Sequence, residues 1–257
     1  MTKVTFEQML SAGVHFGHLK RKWNPSMSPY IFDDKKGIHV IDLNKTLIKL
    51  EEASKAMRQI AKSGRKILFV ATKKQAKEIM STKVEEVNMP SITERWPGGL
   101  LTNFKTTRKT IKKMTSIDKM MKDGTADTMS KRERLQLSRK REKIDKIFGS
   151  ISDMNRLPAA IFIVDVKKEH IALSEAKNLK IPIFAMVDTN SSPDGIDFVI
   201  PSNDDATKSI DLVISALCDA IKEGLGERKQ TKEKIAQEKA AKEASEENTE
   251  QKLEDKS

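Results

Sequence analysis

Apolar positions along this chain fall into two alternating patterns. Short, nearly continuous apolar runs are separated by longer stretches in which apolar residues recur every three or four positions. The runs are "KILFVA" at 66–71, "PSIT" at 90–93, "AAIFIVDV" at 159–166, "PIFAMVD" at 182–188 and "DFVIP" at 197–201. A run that is apolar on both faces suits a strand covered on both sides, and the periodic stretches suit amphipathic helices. Helices are predicted over residues 44–62, 74–87 and 169–178. A further long helix begins where Asn203 or Asp204 can cap it and reaches about residue 223. Strands alternating with helices predict an α/β fold, a Rossmann-like or flavodoxin-like parallel sheet with helices on both faces. Near the start, "YIFDDKKGIHVIDL" predicts a hairpin with strands at 30–33 and 38–41 and a turn at 34–37, and "PYIF" is read as the entry to the first strand.

Residues 104–152 break this rhythm. Apolar residues stand at 104, 111, 114, 117 and 121. After the turn signal "DGTAD", Leu137, Ile144 and Ile151 follow at intervals of seven, with Ile147 and Phe148 between them. One narrow apolar stripe per helix predicts an inserted antiparallel coiled-coil helical hairpin whose stripes bury each other. The expected organisation is a globular α/β domain from 1–103 and 153–226, the hairpin at 104–152, and a charged tail at 227–257. The tail has too few large apolar residues to pack and is expected to be disordered or helical.

Charge changes this picture by its placement. The 257 residues hold 48 Lys+Arg against 37 Asp+Glu, a net charge of +11. Residues 105–150 alone hold 15 against 6, whereas residues 151–226 hold 7 against 12. A helix pair that repels itself this strongly gains most from a nearby polyanion, so RNA contact is favoured over a merely solvated coiled coil. No apolar run approaches the ~20 residues of a membrane span. A membrane-surface adaptor is disfavoured because the narrow stripes cannot serve both a partner helix and a bilayer. The opening "MTKVTFEQML" lacks the apolar core and cleavage site of a signal peptide. Cys218, the single cysteine, sits in an apolar run and reads as a small buried hydrophobe. A cytoplasmic location is expected.

Candidate chemistry lies at the histidines, the strand ends and the basic–aromatic clusters. His15 and His18 suggest a metal site, but neither has a neighbouring third ligand in sequence, so both are read as structural. Asp165 and Asp188 end adjacent strands, where they could hold a cation but more often fix a turn. No GxGxxG or GxxxxGK[ST] is present, which weakens the alternative of a nucleotide-dependent α/β enzyme. No catalytic residue, metal or cofactor is assigned. The first cluster, "LKRKWNP", offers Lys20, Arg21 and Lys22 to phosphates, with Asn24 beside them. Trp23 is suited either to stack on a base or to anchor the fold. The second, "RWPGGLLTNFKTTRK", offers Arg95 and Trp96, Gly98 and Gly99 for close backbone approach, and Thr102 and Asn103 as small polar groups. The hairpin adds Lys105, Arg108, Lys109, Lys112 and Lys113 from its first helix, and Arg132, Arg139 and Arg141 from its second.

Several long motifs then coincide. "MLSAGVHFGHLKRKWNPSMSPYIFDDKKGIHVIDLNKT" resembles the N-terminal signature of the bacterial small-subunit ribosomal protein two family. "ERWPGGLLTNF" is similar to its GG-x-LTNF motif. The stretch from "AIFIVDV" to "PSNDDATKSI" resembles its second signature, through VDTN-x-x-P and IP-x-NDDA. The resemblance covers about residues 5–224. It implies a non-enzymatic structural constituent of the small ribosomal subunit, with an inserted coiled-coil hairpin. It implies binding to small-subunit rRNA near the junction of head and body, contacts with other small-subunit proteins, and a docking surface for the large mRNA-binding ribosomal protein.

Overall fold

The computed structural model describes the backbone of residues 4–123 and 129–254, with side chains through residue 231 and that of Glu233. Five strands form a parallel sheet: β4 (Ile67–Val70), β5 (Ser91–Ile92), β6 (Ala160–Val164), β7 (Ile183–Val187) and β8 (Phe198–Pro201). Their order is β5-β4-β6-β7-β8. Leu68 lies opposite Ile161, Ile161 opposite Ile183, and Ala185 opposite Val199. Alternate side chains of each strand leave on opposite faces. Phe69, Phe162, Phe184 and Met186 enter one apolar cluster, while Leu68, Val70, Ile161, Ile163 and Val187 enter the other. Phe69 and Phe162 meet with ring centroids 5.3 Å apart. The first face is covered by α2 (Leu43–Lys62), α3 (Lys74–Glu86) and α7 (Thr207–Glu254). The second is covered by α6 (His170–Asn178), residues 96–101 and the first turns of α4 (Phe104–Lys122). Both faces are dry, which is why the strands read as unbroken apolar runs.

A second, antiparallel sheet lies over the carboxyl ends of these strands. Its order is β1 (Phe16–Leu19), β3 (Ile38–Ile41), β2 (Ile31–Lys35), preceded by the short helix α1 (Phe6–Ser11). The first strand is therefore not the one that "PYIF" enters. "HFGH" supplies it, and residues 25–30 form a 3₁₀ segment. Gly17 makes this possible: a Cβ there would lie 2.6 Å from Thr189 Cγ2 and 3.0 Å from the His39 carbonyl. The β2–β3 turn is tighter than expected. Lys36 and Gly37 alone adopt positive φ, at 53° and 78°, and Asp34 and Lys35 stay in the ladder. Two consecutive left-handed residues are what a two-residue turn matching the strand twist requires.

α4 and α5 (Lys131–Phe148) lie against each other as two helices, and the coiled coil of mutually buried stripes stays an expectation of the sequence. The turn expected between them lies, beyond Asp123, outside the described residues. Arg141 meets Asp118, and Arg108 meets Met154 and Asn155, so the helices run antiparallel. Burial is one-sided, however. Thr107, Ile111, Met114 and Ile117 of α4 are buried, whereas no residue of α5 is. Leu137, Ile144, Ile147 and Phe148 are only half-covered. The base of α4 packs on the sheet through Ile111, and α5 rests on α4 from outside.

The last helix corrects another expectation. It runs unbroken from Thr207 to Glu254 instead of ending near residue 223. In the fold, Gly224 is a crossing residue, because a Cβ there would lie 2.4 Å from the Arg58 carbonyl of α2. Arg58 and Lys62 then hold Glu227 on the far side of that crossing.

Candidate nucleic-acid interface

The loop before α4 is built around one carboxylate. Trp96 Nε1 donates to Glu175 Oε1 at 3.0 Å, and Gly99 N donates to the same oxygen at 2.7 Å. Leu101 N, Thr102 N and Thr102 Oγ1 donate to Oε2 at 2.9, 3.1 and 3.3 Å. Leu100 and Leu101 are buried on the second face of the sheet. Arg95, Gly98, Thr102 and Asn103 remain exposed. Trp96 is the exception and a correction. It is only 6 % exposed and its indole N–H is spent on Glu175, so it anchors the loop and cannot stack on RNA. The two glycines also separate. Gly99 has φ +85°, while a Cβ at Gly98 would meet nothing within 4 Å. Gly99→Ala is therefore expected to cost about 1–2 kcal/mol of stability. Gly98→Ala should melt like the parent, and should weaken rRNA binding if RNA approaches the main chain there. Thermal melts and filter binding on the two variants read the two effects separately.

The first basic segment is a 3₁₀ turn, Lys20–Lys22, leading into Trp23. All three cations are exposed, and Lys20 Nζ lies 2.9 Å from Asp34. Trp23 is half-buried and packs its ring on His39 with centroids 5.0 Å apart, a contact that leaves part of the indole exposed. Asn24 Oδ1 accepts from Ser26 N, and Asn24 N donates to the Thr189 carbonyl, so this side chain shapes the turn. Met27 shares an apolar cluster with Trp96 and Leu100. Met27 of segment 20–30 and Trp96 and Leu100 of loop 95–103 thus join the apolar cluster on one face of the sheet, although some 70 residues separate them in sequence.

The helix pair carries its cations outward. Lys105, Lys109, Lys112 and Lys113 of α4 and Arg132 and Arg139 of α5 are exposed. Two arginines behave differently. Arg108 is half-buried, donating to the Met154 carbonyl and to Asn155, and it ties α4 to the segment after α5. Arg141 donates to Asp118 and Asp145, which hold its guanidinium above its ordinary pKa. These two close the helix pair and are less available to phosphate than the others.

Polar chemistry at the strand ends is denser than the sequence suggested. His18 Nδ1 lies 2.9 Å from Asp188 Oδ2, and Nε2 lies 3.3 Å from Asp205 Oδ2. Lys73 Nζ lies 2.7 Å from Asp204 Oδ1, 2.6 Å from Asp205 Oδ1 and 3.4 Å from Asp165 Oδ2. The hydrogen bond to Asp188 raises the His18 pKa despite partial burial. Burial, with Asp188 and Asp165 nearby, pushes Asp204 up to about 7 against the pull of Lys73. His18, Asp188, Asp204 and Asp205 offer ligand atoms within 4.8 Å of one another, a spacing that one cation can span. The groups gathered around His18 are carboxylates about 170 to 190 residues further along the chain, and His15 is not among them. Short-range spacing could not have revealed them.

The same cluster argues against nucleotide chemistry. In a sheet of this strand order, ligands bind where the order reverses, between β4 and β6. Here that crevice holds Lys73 against Asp165, with Glu169 accepting from Thr72 N and Oγ1. The crevice is closed by the chain's own ion pairs and presents carboxylates where a phosphate would need donors.

The family model described as Ribosomal protein S2 matches residues 9–224. A small ribosomal subunit protein uS2 from Azobacteroides pseudotrichonymphae is 65 % identical over 228 residues, covering 89 % of this chain and 87 % of that protein. Proteins of the same name from Parabacteroides distasonis and Bacteroides fragilis are 61 % and 60 % identical over 232 residues, covering 90 % of this chain and 84 % of each relative. The similarity spans both sheets, the helix pair and the strand-end cluster. The chain therefore belongs to the ribosomal protein S2 family and is a structural, non-enzymatic protein of the small ribosomal subunit.

Proposed function

We propose that this protein holds small-subunit rRNA through one face, composed of segment 20–22, loop 95–103 and the outer surface of α4 and α5. The observation that carries this reading is the exposure of Lys105, Lys109, Lys112, Lys113, Arg132 and Arg139 beside a loop whose Gly98, Thr102 and Asn103 are open. The cations bind backbone phosphates, and the loop lets the main chain approach sugar and base edges. The acidic half, 151–226, faces away from the RNA. Its place near the junction of head and body, on the solvent side, is what the family resemblance implies. A filter-binding titration against small-subunit rRNA over a salt series tests this. Several phosphate contacts predict a steep fall of affinity with salt, at about −0.9 per contact for duplex on a log–log plot and about −0.7 for single strands. A flat salt response would refute it.

A protein partner is favoured by a separate feature. Phe6, Leu10, Phe16 and Phe32 are 44 %, 50 %, 52 % and 75 % exposed. They line a groove of about 590 Å³, bounded by Lys35, Lys36 and Asp33, on the antiparallel sheet. Clustered exposed aromatics of this kind mark a protein contact. The occupant we assign is the large mRNA-binding ribosomal protein implied by the family resemblance. Phe32→Glu is expected to lower retention of that protein on purified small subunits by tenfold or more, with rRNA affinity unchanged. Unchanged retention by quantitative mass spectrometry would remove the groove from this role. No described helix is long and apolar enough to cross a membrane.

A further inference from the structure

The carboxylate of Glu175 is 6 % exposed and takes five hydrogen bonds from a single loop. All five donors lie between Trp96 and Thr102, and all are neutral. Three are main-chain N–H groups, at Gly99, Leu101 and Thr102, aimed at one point. Convergent N–H groups of this kind form an anion-binding nest. Here the anion belongs to the chain itself, delivered by α6 from more than 70 residues downstream. Burial alone would raise the carboxyl pKa. The donors from Trp96, Thr102, Gly99 and Leu101 outweigh it and hold the group below its ordinary value. The charged form therefore occupies the nest at neutral pH.

Beyond Glu175, the loop is held by the burial of Trp96, Leu100 and Leu101 and by main-chain bonds from Leu100 N to the Pro97 carbonyl and from Asn103 N to the Gly99 carbonyl. Gly98 meets nothing that would confine a Cβ, and Asn103 makes no side-chain cap for α4. Yet this loop sets where α4 leaves the sheet and where Gly98, Thr102 and Asn103 are displayed. Without an anion at its centre, four N–H groups and a hydroxyl would lose their partner together, two of the N–H groups on buried residues.

We propose that Glu175 is a positioning residue for RNA binding: an internal anion that fills the nest of loop 96–102 and sets the loop and the root of α4 in their binding arrangement before RNA arrives. The inference rests on the reading of loop 95–103 as RNA-facing. Its physical content is preorganisation. The entropy of ordering the loop is met during folding, so it is not charged against RNA binding.

Two variants of the full-length protein test it. Glu175→Ala empties the nest, and Glu175→Gln fills it while presenting an amide N–H₂ group toward donors. Both are expected to bind small-subunit rRNA about tenfold more weakly. The ¹H–¹⁵N signals of Trp96 Nε1, Gly99, Leu101 and Thr102 should shift and broaden, while amides of β6 and β7 stay in place. Added formate, at constant ionic strength against chloride, should return Glu175→Ala toward parental affinity and restore those four signals. It should leave Glu175→Gln and the parent unchanged. A generally destabilised variant would show no such rescue. Should Glu175→Ala fail to fold, Glu175→Gln decides by its affinity and its four signals. Parental affinity in the Glu175 variants, with Arg95→Glu weakened, would overturn the positioning role and leave the RNA-facing reading standing. Parental affinity in all three variants would overturn that reading and the proposal with it.

Discussion

Changing Lys109, Lys112, Lys113 and Arg139 together to glutamate is expected to abolish most of the protein's affinity for small-subunit rRNA at physiological salt, with its melting temperature nearly unchanged. All four side chains are exposed on the helix pair. Surface substitutions away from specific contacts usually change stability by less than about 0.5 kcal/mol. Each phosphate contact removed should take about 0.9 from the log–log salt slope on duplex. Four lost contacts therefore predict a slope lower by about 3 to 4, together with new repulsion from four carboxylates. Arg141 is deliberately left in place. It is bound to Asp118 and Asp145, and reversing it would disrupt the packing of α5 on α4. Circular dichroism and filter binding on the same preparation separate the two effects. A parental salt slope in the quadruple variant would remove the helix pair from RNA binding.

Lys73→Met should destabilise the fold by about 3–5 kcal/mol, the usual cost of breaking a buried ion pair from one side. Lys73 faces Asp204, which is fully buried, along with Asp165 and Asp205. Methionine fills similar space but takes the ammonium from these carboxylates, leaving Asp205 only His18. The loss should depend on pH in a defined direction. Asp204 already has a folded-state pKa of about 7, raised from 3.8 by burial and by its acidic neighbours. Removing the ammonium raises it further. A carboxyl whose folded pKa exceeds its unfolded pKa favours the fold at low pH and loses that contribution as pH rises through the folded value. Lys73→Met should thus be closer to the parent in mild acid than at neutral pH. Adding Asp204→Asn should recover part of the loss. Urea titrations in chelator-treated buffer check all three points. An undiminished midpoint in Lys73→Met at neutral pH would show that the cluster has no need of its cation.

Much of the architecture was legible because its signals are local. The parallel strands announced themselves as runs apolar on both faces, and the two helices within 104–148 through their periodic apolar positions, although the mutual burial expected of their stripes is not seen in α5. What sequence could not supply was contact between distant segments. Gly17 carries no local mark of its role, which is to let β1 lie against Thr189. The helix expected to end near residue 223 continues, because Gly224 serves the crossing of α7 over Arg58. His18 looked short of partners because its carboxylates come from the far end of the chain.

The candidate interface divides in the same way. Exposed lysines on a periodic helix can be placed from the pattern alone, and Lys105, Lys109, Lys112 and Lys113 stand where the stripe leaves them. Aromatic residues among cations are ambiguous, since an indole can serve either a partner or the core. Trp23 lies on His39, and Trp96 is turned inward by Glu175. Glu175 gave no sign of this role beyond its place in the second signature: one acidic residue on an amphipathic helix looks solvated until the loop it holds is seen.

Cross-linking of intact small subunits, read out by mass spectrometry of RNA-linked peptides, tests the central claim most directly. RNA adducts are predicted on residues 20–22, on 95–103 and along α4 and α5, and to be missing from the exposed residues of α6 and from the groove around Phe32. Adducts concentrated on α6 or that groove, with the helix pair unmodified, would contradict the account.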